Sequence, residues 1–325
     1  MNASHVTDTV RLRSLSCRNF SGLRDGEYRF HRANEAAARS VAIVGKRSSG
    51  KTSLLAALRF AKELAGPYGR PPSLEGRARD VRRRVALDLE LCITTKSGSI
   101  DQRVRFEEGG GDPLREVPPA LASLLSRYDH GAPSFKVDYF PADRFLPSWS
   151  SPSKPPSALV ERARRVSDDP TKYTSLWAWL TDALAKERLG RDAATQAAGF
   201  SFIDDASSLL RRLQANFSKL DPGIRIGGLR ASGAPFFRDP KGHDLDVDAL
   251  SGSARHALLF ALAYEMVQHQ RSVVLVDEPE RGCLPDDAGA RFNGLLELRR
   301  ETQLIVATNS FAIAGCSDVV VEVGS

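Results

Sequence analysis

The octapeptide Gly45-Lys46-Arg47-Ser48-Ser49-Gly50-Lys51-Thr52 matches the pattern GxxxxGK[ST]. It stands between a short apolar strand, Ser40-Val41-Ala42-Ile43-Val44, and a segment of helical spacing, Thr52-Ser53-Leu54-Leu55-Ala56-Ala57-Leu58. A strand, a tight glycine loop and a helix in series form an anion cradle. The loop amides and the positive end of the helix dipole converge on phosphate oxygens, and the glycines let the backbone come close. The sequence therefore predicts that Gly45, Lys46, Arg47, Ser48, Ser49, Gly50, Lys51, Thr52 and the following Ser53 hold ATP. Lys51 is expected to reach the β- and γ-phosphates, and the Thr52 hydroxyl to ligate Mg²⁺.

Outward from this loop, the chain has the composition of a globular protein. Its 325 residues are 42% hydrophobic and 26% charged, and 46 basic against 40 acidic side chains leave a formal charge of +6. That excess permits contact with DNA or RNA without requiring it. The four cysteines, Cys17, Cys92, Cys283 and Cys316, form no CxxC pair, and the six histidines are scattered, so neither a disulfide framework nor a zinc knuckle is implied. Met1 to Val10 lacks a basic start and an apolar run, and the longest apolar stretch, Ala257 to Val267, is interrupted by Glu265. The expectation is a cytoplasmic protein with no membrane partner.

A second acidic element lies far downstream. Val273-Val274-Leu275-Val276-Asp277-Glu278 is an apolar strand ending in two carboxylates. At the carboxyl end of a strand beside the phosphate loop, Asp277 is expected to hold Mg²⁺ and Glu278 to accept a proton from an attacking water. A third element, Leu250-Ser251-Gly252-Ser253-Ala254-Arg255, opens an apolar helix. Ser251 and Gly252 at a helix start are a serviceable N-cap, and equally a second site for an anion.

The order of these motifs, closed by the strand Ile305-Val306-Ala307-Thr308-Asn309-Ser310, resembles the ATPase heads of the ABC superfamily. Within it the chain is similar to the SMC-related, OLD-like AAA-family ATPases of bacterial genome maintenance and anti-phage defence. Leu15-Ser16-Cys17-Arg18-Asn19-Phe20 with Gly22-Leu23 resembles that group's opening strand, and Asp277-Glu278-Pro279-Glu280 its acidic motif. The resemblance implies a P-loop NTPase of ABC type: an α/β fold with a mainly parallel central sheet, an antiparallel β subdomain and a helical insertion. It further implies a homodimer, or higher homo-oligomer, joined head to tail through ATP. Each nucleotide would lie between the phosphate loop of one copy and Ser251-Gly252 of the other, and a separate effector protein or nucleic acid would be the target.

Asn309 stands where the family's switch residue is usually histidine, so slow turnover is expected. Asp143-Arg144 is the candidate for the family's metal-sensing region, with a surface salt bridge as the alternative. No room is expected past Ser310 for the nuclease domain of larger OLD proteins. The predicted organisation is 1–144 and 222–325 as the two parts of the ATPase domain, with a helical lobe, 145–221, between them. Pro147 to Ser157, rich in proline and serine, reads as a linker. Val85, Leu87, Leu89, Leu91 and Ile93 alternate as in a half-buried antiparallel strand. Three weaker signals are the stretch Arg77, Arg79, Arg82, Arg83 and Arg84 (phosphate patch or solvated face), the alternating Asp244, Asp246 and Asp248 (cation site or polar edge), and the lobe arginines Arg162, Arg164, Arg165, Arg211 and Arg212.

Overall fold

The computed structural model describes residues 9–32, 36–95, 98–109, 112–126, 135–149, 157–198, 208–298 and 301–324. In chain order the strands are β1 (Thr9–Arg18), β2 (Gly26–Arg29), β3 (Ser40–Val44), β4 (Val85–Thr95), β5 (Gly98–Glu108), β6 (Leu114–Glu116), β7 (Val137–Phe140), β8 (Arg225–Leu229), β9 (Pro235–Arg238), β10 (Asp244–Asp246), β11 (Val273–Asp277), β12 (Gln303–Ala307) and β13 (Val319–Glu322). The α-helices are α1 (Lys51–Ala65), α2 (Pro119–Ser126), α3 (Ala158–Arg165), α4 (Ser175–Ala198), α5 (Leu209–Leu220), α6 (Gly252–Val267), α7 (Ala288–Leu298) and α8 (Phe311–Cys316). Of the predicted linker, residues 150–156 lie outside the described residues, as do 199–207 at the start of a predicted helix.

Five strands form the parallel sheet, in the order β13-β3-β12-β11-β7. Their continuous apolar runs are what a sheet covered on both faces requires, and every residue of β11 and β12 is buried. A second sheet, β2-β1-β4-β5-β6, is antiparallel, and the alternating residues of β4 pair with β1 on one side and β5 on the other. Between the two sheets runs α1, with Leu54, Leu55, Ala57, Leu58 and Ala61 fully buried. A small antiparallel sheet, β10-β9-β8, follows the helical region.

The two larger sheets are also joined by a polar clamp. The β1–β4 register shifts between Leu12 and Ser14, so Arg13 is the residue without a partner on β4, while Leu12 stays opposite Leu91. Gln303, at the start of β12, bonds both main-chain groups of Leu12: its Oε1 accepts from Leu12 N at 2.8 Å, and its Nε2 donates to Leu12 O at 2.9 Å. Both groups are buried, so removing the amide would leave orphaned main-chain atoms in the core.

The helices α3 to α5 share this core. Tyr173, Leu176, Trp177, Leu213 and Phe217 belong to the same buried cluster as the parallel sheet. Trp177 Nε1 donates to Pro147 O at 2.8 Å, which ties the first part of the predicted linker to α4. The exposed edge of β7 is covered by charge. Lys172, fully buried, donates to Tyr139 O, to Arg165 O at 3.0 Å and to Ser167 O at 3.1 Å. His269 Nε2 donates to Asp138 Oδ2 at 3.0 Å, with Arg165 Nη1 3.8 Å from the same oxygen. Burial alone would raise the Asp138 carboxyl, but the bond from His269 and the charges of Arg165 and Lys172 hold it below the ordinary value. Burial pushes the Lys172 ammonium down to about 7.

The sequence suggests helix from Ala158 to Glu187 with a break at Pro170, and a 3-10 turn stands there, Pro170–Thr174, because proline lacks the N–H that would continue the helix. The turn that joins β1 to β2 lies at Ser21-Gly22. Asn19 takes a left-handed φ of 56° and Gly26 already belongs to β2. Two short elements, β6 and α8, carried too little periodicity to be read from sequence. No described helix is long and apolar enough to cross a membrane.

Candidate functional site

The loop Gly45–Gly50 joins β3 to α1 at the carboxyl end of the parallel sheet, where ligands of open α/β sheets bind. Its curvature needs two left-handed residues, Ser48 (φ 61°) and Gly50 (φ 105°), and is closed by Ser49 N donating to Lys46 O at 3.1 Å. Gly50 is the N-cap of α1 and has no side chain to cap it. It is also irreplaceable in space, since an added Cβ would meet Gly22 O at 2.2 Å. Gly22, in the β1–β2 turn, is itself pressed onto Ser53, so the opening turn props the loop from below. Val323 and Gly324, after β13, close the loop's other flank.

Two side chains at the loop's end make the contacts that define it. Lys51 Nζ donates to Gly45 O at 2.9 Å and Lys46 O at 3.0 Å, which places its charge within the loop. Thr52 Oγ1 donates to Asp277 Oδ2 at 2.8 Å, although 225 residues separate them. Burial raises the Asp277 carboxyl above its ordinary value, and the Thr52 hydrogen bond opposes that rise. Ser49 Oγ, beside Gly45 in the loop, is buried with no hydrogen-bond partner. An unsatisfied hydroxyl, glycine-lined amides and a lysine fit a polyphosphate, and the Thr52–Asp277 pair of hard oxygen ligands fits Mg²⁺.

Glu278 follows Asp277 with a left-handed φ of 48°, and its N donates to Ala307 O at 2.8 Å. The next acid, Glu280, accepts from Asn309 N at 2.8 Å, so the acidic turn fastens the end of β12. Asn309 is exposed and lines a cleft of about 660 Å³ with Gly45, Lys46, Ser310, Phe311 and Val323. Arg47 is exposed at the loop's rim.

Ser251 and Gly252 are exposed at the start of α6, and Ser251 Oγ accepts from Ala254 N at 3.1 Å. The corner's contacts run to the acidic turn of its own chain, where a Cβ on Gly282 would lie 3.3 Å from Gly252 C. His256 Nδ1 lies 2.7 Å from Arg281 O, with burial and then the Arg144 charge pushing that imidazole down to about 4. Lys51, Thr52, Asp277, Glu278 and Asn309 are thus gathered at one end of the sheet, whereas Ser251 and Gly252 face outward.

Three weaker signals resolve into internal contacts. Asp244 pairs with Arg238, Asp246 with Arg230, and Asp248 with Ser148 and Arg255, so the alternating aspartates form ion pairs, and no group of three or more His, Cys, Asp or Glu able to hold a metal occurs among the described residues. Arg77 lies over Phe60, Arg79 bonds Asp25 and Leu23 O, and Arg84 is 3.8 Å from Glu107. Arg162 donates to Pro67 O, Arg165 pairs with Glu161 and Arg212 with Glu265. Arg144 is no surface salt bridge: it is buried and bonds main-chain carbonyls of Asp277 and Glu278. The sequence signalled its place at a strand end but not that destination.

Among solved structures the chain is similar to the Smc head bound to the C-winged helix domain of ScpA, with a TM-score of 0.54 and 14% identity over 96% of this chain and 94% of that one. The Smc head domain with an extended coiled coil, bound to the C-terminal domain of ScpA derived from Pyrococcus furiosus, gives 0.50 and 12% over 96% and 93%. The recombination mediator protein RecF of the RecFOR pathway gives 0.50 and 12% over 99% and 100%. At such identities the likeness shows the fold alone, that of the Smc heads and of RecF. A comparison with curated proteins finds no match. Residues 40–310 match the family described as "AAA domain, putative AbiEii toxin, Type IV TA system", and with the phosphate loop and the acidic strand end inside that span, the chain belongs to this family of ATPase domains.

Proposed function

We propose that this protein binds ATP with Mg²⁺ on the Gly45–Ser53 loop, hydrolyses it slowly, and dimerises head to tail through it. The observation that carries the reading is the 2.8 Å contact of Thr52 with Asp277, which brings the two oxygen ligands of a phosphate-bound cation together at the mouth of the loop. Mg²⁺ supplies neutralisation of the phosphate charge, held by Thr52 and Asp277. Lys51 binds the β- and γ-phosphates, the amides of the loop and of the first turn of α1 orient them, and Glu278 accepts the proton of the attacking water. Asn309 lines a cleft with Gly45 and Lys46 of the loop, able to donate a hydrogen bond but not a positive charge.

The exposed Ser251-Gly252 corner supports the head-to-tail arrangement, because within its own subunit it turns toward solvent. In a dimer it would face the partner's triphosphate, and hydrolysis would release the pair. Control of a separate effector, or action on DNA or RNA, follows as the use of such a cycle. The family's description as a toxin of a type IV system supports a two-component defence role. A second reading, a nucleotide-gated scaffold with marginal hydrolysis, is favoured by the asparagine at 309.

Phosphate release from the wild type, Lys51→Ala and Glu278→Gln, with elution volume in ATP, tests the proposal. The expected result is turnover in the wild type only and an ATP-trapped dimer of Glu278→Gln. A dimer with no turnover in any of the three selects the scaffold, and a monomer throughout removes the head-to-tail arrangement.

A further inference from the structure

The proton acceptor assigned above sits in a backbone conformation that a residue with a side chain rarely adopts. Glu278 has φ 48°, immediately after the last residue of β11. Continued strand geometry would carry residue 278 to the opposite face from Asp277. The left-handed turn redirects it, and something must hold that turn against its strain.

Arg144 is the group in place to do so. It is 2% exposed, and its guanidinium reaches three main-chain oxygens: Nη1 donates to Pro141 O at 3.0 Å and Asp277 O at 2.7 Å, and Nη2 to Glu278 O at 2.9 Å. The planar fork thus spans two successive peptides, one on each side of the Glu278 Cα. With Glu278 N bonded to Ala307 O, both polar main-chain groups of Glu278 are fixed. The guanidinium rests on the Phe260 ring of α6, 5.0 Å from its centroid, and among the described residues no carboxylate forms an ion pair with it, a costly arrangement for a merely structural turn. Burial lowers the Arg144 guanidinium to about 10, which leaves it charged at neutral pH.

We propose that Arg144 is a positioning residue for hydrolysis: by bridging the Asp277 and Glu278 carbonyls it holds Glu278 in its left-handed turn and aims the carboxylate at the attacking water. The inference rests on the reading of Glu278 as proton acceptor. Lysine at 144 keeps the charge but offers a single ammonium, which cannot bridge both peptides in the same geometry.

The test measures kcat, KM and the affinity for a fluorescent ATP analogue in wild type, Arg144→Lys, Arg144→Met, Glu278→Gln and the Arg144→Lys/Glu278→Gln pair. The expected result for Arg144→Lys is a kcat lower by about 10- to 100-fold, the cost of a small misplacement of a reacting group. Analogue affinity and KM stay within about threefold, since the phosphate loop is untouched. Free guanidinium at low millimolar concentration restores part of the turnover of Arg144→Met and none of Glu278→Gln. In the Glu278→Gln background, Arg144→Lys has no further effect. Wild-type kcat in folded Arg144 variants, or kcat and affinity falling together, overturns the inference, as does failure of both variants to fold, which would make the role structural. If the wild type itself releases no phosphate, the hydrolytic reading falls first. If the wild type turns over and Glu278→Gln does not, normal Arg144 variants overturn this inference alone.

Discussion

Two helices of this protein present their N-termini as anion sites, and they are built in opposite ways. The start of α1 is capped by Gly50, in a left-handed conformation with no side-chain hydrogen bond, so its first-turn amides keep their donors for an outside group. The start of α6 is capped by Ser251, whose hydroxyl already takes the Ala254 N–H. The first is wedged between Gly22, Ser53 and the end of β13, and the second stands in the open. A site enclosed by its own chain is organised for a ligand before the ligand arrives. A self-capped corner facing solvent has no such preparation, and in the head-to-tail reading a second copy completes it.

Alanine scanning of the two glycines should break this contrast most sharply. Gly50→Ala forces a Cβ to within 2.2 Å of Gly22 O at φ 105°, whereas a Cβ on Gly252 meets nothing within 4 Å. Gly50→Ala is expected to weaken binding of a fluorescent ATP analogue by about 100-fold or more, equivalent to roughly 2.7 kcal/mol, with a lower melting temperature. Gly252→Ala should leave both unchanged, and equal losses in the two variants would refute the asymmetry. Gly252→Glu then separates binding from assembly: analogue affinity should stay as in the wild type, while the ATP-trapped dimer of the Glu278→Gln background disappears on a sizing column. Persistence of that dimer would show that the α6 corner does not meet the partner's phosphates.

A smaller effect is expected at the rim of the cleft. Asn309→His should raise steady-state turnover by about 2- to 10-fold, a gain of roughly 0.4 to 1.4 kcal/mol in transition-state stabilisation. No gain would mean that the asparagine is not what slows the site. A change remote from both helix starts is read on stability and not on turnover. The Lys172 ammonium has its ordinary value of 10.5 lowered to about 7 in the folded chain. The folded state therefore binds fewer protons between those values. Its contribution to stability is fully present above 10.5 and is lost as pH falls toward 7. Urea unfolding should show wild-type stability rising relative to Lys172→Met between about pH 7.5 and 9, by at most ~1.4 kcal/mol per pH unit, with analogue binding unaffected. A constant difference would indicate that Lys172 stays charged when buried.

Most of the chemistry could be read from residue order because it is local. Gly45 to Thr52 needs only a strand before it and a helix after it, and β4 announced its sheet by strict alternation. What escaped was short or non-local. Glu280 reaches Asn309 N, and Gln303 bonds the main chain of Leu12, across separations that no periodicity reports. The linker-like Pro147 proved to be a hydrogen-bond acceptor for Trp177, a contact set by packing and not by composition.

The sequence by itself determined the phosphate loop, the acidic strand end and the two helix starts, since each depends on backbone geometry that a few adjacent residues dictate. Only the tertiary structure decided that Asp277 meets Thr52, that Arg144 turns inward to hold the Glu278 peptide, and that the three alternating aspartates pair with Arg230, Arg238 and Arg255. The reason is range. Hydrogen bonds and ion pairs act over a few ångströms, so which groups share them is fixed by how strands distant in the chain come to lie side by side in the sheets.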